Sequence, residues 1–97
     1  MYKPLPQCLT IQPSPIDGLG LFATQSIPAN TTLGISHVKI SESDKNYIRT
    51  PLGGFINHSS NPNCIKGGEG STIMTIKTLR SIAPGEELTV EYTLYTL

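Results

Sequence analysis

The sequence of 97 residues has no tryptophan, only two cysteines and only 14% charged residues. Each shortage excludes something. Cys8 and Cys64 cannot by themselves complete a structural zinc site, which takes about four ligands. One disulfide between them is conceivable, but nothing in the sequence supports it, and a reduced intracellular chain is the simpler reading. The charges are balanced as well as sparse, seven basic against seven acidic. No basic patch is large enough to imply nucleic acid as a direct partner. No apolar run approaches the ~20 residues of a membrane span, and Met1-Tyr2-Lys3-Pro4 does not begin a signal peptide. These absences describe a soluble, intracellular protein without a membrane partner, in the cytoplasm or in a host nucleus. The length allows one domain, residues 1–97, with a small core.

What is abundant is glycine (nine) and proline (eight), spaced between short apolar runs. That spacing favours many short strands and turns, a mostly β fold. Cys8–Gln12 alternates as a half-buried strand does, and Pro13 and Pro15 then force a turn. Gly18-Leu19-Gly20 gives a backbone that can bend sharply or approach a ligand closely. A hairpin with a bulge is an equally good reading of it. Leu21-Phe22-Ala23 resumes a strand. In Ser26–Leu33 a turn precedes the next strand, with Pro28 presetting φ and Asn30 suited to a left-handed position. Leu33 to Ile40 is β-branched, and His37 within it reads as a structural residue. Ser41–Thr50 is the stretch suited to a helical turn, ended by Pro51. Gly67–Gly70 reads as a hairpin tip, Ser71–Leu79, where Ile73, Thr75 and Lys77 alternate with Thr72, Met74 and Ile76, as the longest β signal, and Pro84-Gly85 as a type II turn before a last strand from Thr89. There is a faint internal echo. Ser26-Ile27 and Ser81-Ile82 stand the same distance before Leu33 and Leu88, so the two ends read as built alike.

Gly53–Cys64 is the most unusual stretch. Phe55 and Ile56 are apolar and stand directly before Asn57 and His58, and the polar run Ser59-Ser60-Asn61-Pro62-Asn63 follows. This is a buried segment that delivers Asn57 and His58 into a pocket. Asn57-His58-Ser59 and Asn30-Thr31-Thr32 also fit glycosylation acceptors, a reading with little weight in a chain without a secretory signal. His58 has no neighbouring His/Cys/carboxylate cluster, so no metal site is assigned.

Three clusters stand in order: Gly18-Leu19-Gly20-Leu21-Phe22, then Phe55-Ile56-Asn57-His58-Ser59 with Asn61-Pro62-Asn63, then Gly85-Glu86-Glu87-Leu88-Thr89-Val90-Glu91-Tyr92. Together they resemble the SET domain of protein lysine methyltransferases, over a core of about residues 14–92. The resemblance implies a SET-type, β-clip-like fold of several small sheets, with a knot-like threading of the C-terminal segment. It implies transfer of a methyl group from S-adenosyl-L-methionine to the ε-amine of a lysine in a protein or peptide, histones being the familiar target. By the same resemblance Gly18, Leu19 and Gly20 offer backbone groups to the methionine end of the cofactor. Asn57 meets its amino end, the backbone of His58 pairs with the adenine edge, and Tyr95 covers the adenine. Tyr92 matches the active-site tyrosine and also borders the cofactor. Tyr47 and Phe55 are candidates for the substrate channel. No carboxylate base is required, because an apolar channel and a neighbouring sulfonium both disfavour the protonated amine. Glu86 and Glu87 read most simply as a solvated turn.

The chain departs from the family pattern in two places. The stretch from Ile40 to Gly53 is short, and Ser60 stands where many members carry a zinc-binding cysteine, with no cysteine cluster after Tyr92. A metal-free minimal enzyme follows, of the virus or bacterial type, whose cofactor pocket a homodimer partner or the substrate would complete. The alternative is a SET-like module that binds cofactor or peptide without transferring a methyl group.

Overall fold

Prolines and glycines punctuate the chain as the sequence implies, and the segments between them are strands. The computed structural model describes residues 5–39, 47–68 and 72–91. The elements run β1 (Leu9–Pro13), β2 (Leu19–Ala23), β3 (Thr32–Lys39), β4 (Tyr47–Arg49), α1 (Pro51–Phe55), β5 (Asn57–His58), β6 (Cys64–Gly67), β7 (Ile73–Thr78) and β8 (Glu87–Val90). They form two four-stranded sheets, in the orders β1-β2-β8-β5 and β4-β3-β7-β6. Pro13 ends β1 at a sheet edge, where its missing N–H leaves no ladder bond unmade. Leu21, Ile27, Leu33, Ile56, Ile76, Ile82, Leu88 and Val90 form the core. Among the described residues, no helix is long and apolar enough to cross a membrane. Cys8 and Cys64 are both free thiols. Burial pushes the Cys64 thiol up to about 12, so it stays protonated.

The faint echo in the sequence is a physical symmetry. Ile27 and Ile82 form an isolated antiparallel bridge, with Ile27 N–H donating to Ile82 O at 2.9 Å and Ile82 N–H donating to Ile27 O at 2.8 Å. About this point the two halves exchange matching bonds. Asn30 N–H donates to Thr78 O at 2.9 Å, and its counterpart Gly85 N–H donates to Ala23 O at 2.7 Å. Thr78 N–H donates to Thr31 O, and Ala23 N–H donates to Glu86 O, both at 2.9 Å. The β2–β8 pair Phe22↔Glu87 corresponds to the β3–β7 pair Thr32↔Lys77. Asn30 and Gly85 occupy equivalent turn positions, and both have positive φ, 60° and 83°. Glu86 N–H donates to Ala83 O at 3.1 Å, which closes the type II turn on Pro84-Gly85.

The helix is not where the sequence placed it. Residues 47–49 are strand β4, and residues 41–46 of the expected helical turn lie outside the described residues. Pro51 begins α1 rather than ending a helix. Proline suits the first helical position because its missing N–H has no intrahelical partner there. Thr50 is the N-cap: its Oγ1 accepts from Gly53 N–H at 3.4 Å. The same hydroxyl donates to Ile35 O at 2.7 Å, which ties the helix start to β3. Gly53 has no room for a side chain, because a methyl there would overlap the carbonyl oxygen of Ser36. The short helix turns the chain so that Ile56 is buried and Asn57 and His58 enter β5.

β5 is the one parallel pairing among the described residues, Asn57↔Thr89 and His58↔Val90. The polar run after it has a structural use. Asn63 is buried and its amide clamps β8: Nδ2 donates to Glu87 O and Oδ1 accepts from Thr89 N–H, both at 2.8 Å. The expected knot-like threading involves residues beyond 91 and lies outside the described residues.

Candidate functional site

β8 brings two distant parts of the chain together. β2 lies along one side of it through Leu21↔Leu88, and β5 lies along the other through Asn57↔Thr89. The Gly18–Gly20 segment at the start of β2 therefore meets Asn57 at the start of β5. Asn57 Nδ2 lies 3.2 Å from Asp17 O and 3.4 Å from Leu19 O. It also lies 3.1 Å from Ser14 Oγ and 2.8 Å from Glu87 Oε2. The hairpin reading and the ligand-loop reading of this segment are compatible. Ser14 N–H donates to Gly18 O at 2.8 Å, which closes the β1–β2 hairpin, and the loop still turns two carbonyls toward Asn57. Gly18 is needed for its conformation, with φ of 41° and open space around it. Gly20 is needed for room, since a methyl there would overlap Oε2 of Glu87.

The other sequence-derived site residues are placed as follows. His58 is exposed beside Asn57, and the next residue, Ser59, donates its N–H to Val90 O at 2.9 Å. Phe55, at the end of α1, is half-buried against the core. Tyr47 is in β4, opposite Lys39 in the second sheet, and its side chain lies outside the described residues. Tyr92 and Tyr95 lie outside the described residues altogether.

Two members of the cluster had no role assigned from the sequence: Ser14 and Glu87. Glu87 is not a solvated turn residue. Ser14 Oγ lies 2.9 and 2.8 Å from its two carboxylate oxygens. Glu86, by contrast, does stand on the turn, and it pairs with Arg80. That hydrogen bond, helped by those from Ala83 N–H and Asn63, holds its carboxyl down at about 2. No local signal in the sequence marks Glu87: its register partner in β2 is Phe22, and its approach to Gly20 is made by the side chain in the folded chain.

A profile of the SET domain matches residues 38–93. The chain belongs to the SET-domain family. A search of curated proteins finds no match. Solved structures of the same fold include a candidate histone methyltransferase of Plasmodium falciparum. It is 22% identical with a TM-score of 0.71, over 91% of this chain and 95% of that one. The methyltransferase domain of human PR domain-containing protein 2 is 24% identical with a TM-score of 0.68, over 89% and 77%. An inhibitor-bound, humanized Polycomb Repressive Complex 2 of Chaetomium thermophilum is 17% identical with a TM-score of 0.71. That match covers 88% of this chain but only 15% of the other. At these identities the likeness is one of fold, and the SET fold agrees with the mostly β architecture of small sheets.

Proposed function

We propose that this SET domain is a protein-lysine N-methyltransferase that uses S-adenosyl-L-methionine, with residues 1–97 acting as a single domain. The observation that carries the reading is the meeting of the Gly18–Gly20 loop with the Asn57 amide, in a chain of this family. The donor set suits the cofactor's amino-acid end. The Asp17 and Leu19 carbonyls converge on an amide at a partly exposed site. When bound, the cofactor supplies a methyl group on a positively charged sulfur.

The residues of this chain have separate tasks in that reading. Gly18, Leu19, Gly20 and Asn57 hold the amino-acid end, and the His58 backbone holds the adenine. Tyr92 orients the lysine amine, Tyr95 covers the adenine, and Tyr47 and Phe55 border the channel. Alignment of nucleophile and methyl group is the main source of rate in such a transfer. The free amine is a minor species near pH 7, given an ordinary lysine pKa of about 10.4, and apolar surroundings raise its share. The engagements of Glu86 with Arg80 and of Glu87 with Ser14 and Asn57 support assigning neither as a base. A lysine in a basic peptide is the substrate class, and a histone tail is the natural first trial because one neighbour is named a histone methyltransferase. In this reading a homodimer partner or the substrate itself completes the pocket, and light scattering that finds a fully active monomer excludes the dimer.

Calorimetry with S-adenosylmethionine tests the reading. Wild type binds, and Asn57→Ala binds at least tenfold more weakly. If wild type does not bind, the enzyme reading fails. A methyl-transfer assay on a lysine-peptide array then compares wild type with Tyr92→Phe. Transfer by wild type and its loss in Tyr92→Phe support the assignment, whereas binding without transfer identifies a binding module.

A further inference from the structure

The resemblance assigns the Gly18 loop and Asn57 to the cofactor but gives no part to Glu87 or Ser14. We propose that Glu87, held by Ser14, sets the polarity of the amino-acid pocket and makes the site selective for a ligand that carries an ammonium group. The inference rests on the cofactor reading above and names the residue that recognises the cofactor's α-ammonium.

Hydrogen-bond chemistry fixes each group. Three of the four acceptors around Asn57 Nδ2 are oxygens without hydrogen: Asp17 O, Leu19 O and Glu87 Oε2. The amide must turn its nitrogen toward them, because its own oxygen would repel all three. Ser14 Oγ accepts from Ile16 N–H at 3.0 Å and from Asn57 Nδ2 at 3.1 Å. Its single hydrogen is then directed to Glu87. Every polar group in the cluster therefore points in one sense, and Glu87 is the charged end of the chain.

The cluster has acceptors to spare. An amide nitrogen has two hydrogens and cannot satisfy four acceptors fully. Among the described residues Arg80–Glu86 is the ion pair, and no cation pairs with Glu87. A half-buried carboxylate next to two converging carbonyls is a site short of positive charge. An ammonium group, with three hydrogens and a full charge, matches that deficit, and charge-assisted bonds are the stronger kind. Asp17, Gly18 and Leu19 are exposed, so the ligand can reach this side. Gly20 completes the device by leaving the space the Glu87 carboxylate fills.

Calorimetry with two ligands tests this. One is S-adenosylhomocysteine. The other is its deamino analogue, in which hydrogen replaces the α-ammonium. Wild type should prefer the first by on the order of tenfold or more, the range for hydrogen bonds to a charged group. Glu87→Gln should remove most of that preference by weakening S-adenosylhomocysteine alone, with the deamino analogue bound as in wild type. Ser14→Ala keeps the charge but releases its anchor, and should narrow the preference in the same direction, by about threefold. A purely structural role would weaken both ligands equally. That result, or an unchanged preference in both variants, overturns the inference. If wild type binds both ligands equally, the Glu87 assignment falls while the cofactor reading stands. If wild type binds neither, the cofactor reading falls and takes this inference with it.

Discussion

The carboxylate of Glu87 occupies the space where a side chain at residue 20 would begin. A methyl group on Gly20 would overlap Oε2 of Glu87 and lie 3.0 Å from Nδ2 of Asn57. The displaced atoms are the ends of side chains, so Gly20→Ala is expected to fold. It gives up the Ser14–Glu87–Asn57 bonds at a cost of about 1–2 kcal/mol. Thermal unfolding should show a small drop in Tm, while calorimetry shows at least tenfold weaker S-adenosylhomocysteine binding. A variant that binds as wild type would mean that the carboxylate's position is immaterial.

Gly53→Ala should behave in the opposite way. There the methyl would overlap the backbone oxygen of Ser36, lie 2.9 Å from the Ser36 carbonyl carbon, and lie 3.1 Å from Cε1 of His37. Backbone in the middle of β3 cannot step aside, so α1 must move. The expected cost is about 3 kcal/mol or more. Urea unfolding should give a much lower midpoint than for Gly54→Ala, since Gly54 has open space around it.

His37 makes stability depend on pH. The ring is buried in β3, with Nδ1 2.9 Å from Ser36 Oγ. Burial, reinforced by the positive charges of Lys66 and Arg49, lowers its pKa from 6.5 to about 4. The unfolded chain takes up this proton near 6.5 and the folded one only near 4. Stability from this residue is therefore whole above pH 6.5 and is lost as pH falls from 6.5 to 4, by on the order of 3 kcal/mol. Urea midpoints across that window should fall for wild type and stay nearly level for His37→Gln. Glu86 acts at lower pH. Its depressed pKa gives stability that is present above about 4.5 and lost toward about 2.

Asn63 substitutes for a strand neighbour of β8. Asn63→Ala leaves Glu87 O and Thr89 N–H without their side-chain partner. Two backbone groups left unpaired, one buried and one part-buried, cost roughly 3 kcal/mol together. Asn63→Asp should be nearly as damaging, because a carboxylate can accept from Thr89 N–H but cannot donate to Glu87 O. Urea unfolding of both variants checks this, and an Asn63→Asp variant as stable as wild type would contradict it.

Features that depend on near neighbours were legible in the sequence. Pro84-Gly85 carries its own φ requirements, Asn30 tolerates φ of 60°, and the alternation of β7 shows its buried face. The matched Ser-Ile pairs indicated two similar ends, and the Ile27–Ile82 bridge is where they meet. Pro51 was misread because proline both stops and starts helices, and Thr50 decides between them only through its bonds to Gly53, Ile35 and Ser36. Ser14 and Glu87 were missed for a different reason. They are 73 positions apart, and a serine and a turn glutamate carry no mark of a bond over that distance. The Gly18 segment and Asn57 stood out because glycine and a polar residue after Phe55-Ile56 are locally unusual.

The place of β8 also governs how the molecule comes into being. It is the last described strand, yet it lies between β2 and β5 in its sheet. During synthesis the hairpins β1–β2 and β6–β7 can close early, but β2 and β5 wait for β8 before that sheet exists. Long-range pairing of this kind places folding in the slower range, milliseconds to seconds. Asn57 and Glu87 meet in that same late event, so a nascent chain gains its site and its stability in one step. A ligand held by Asn57 and Glu87 would then stabilise the folded chain by an amount that rises with the logarithm of its concentration over its Kd.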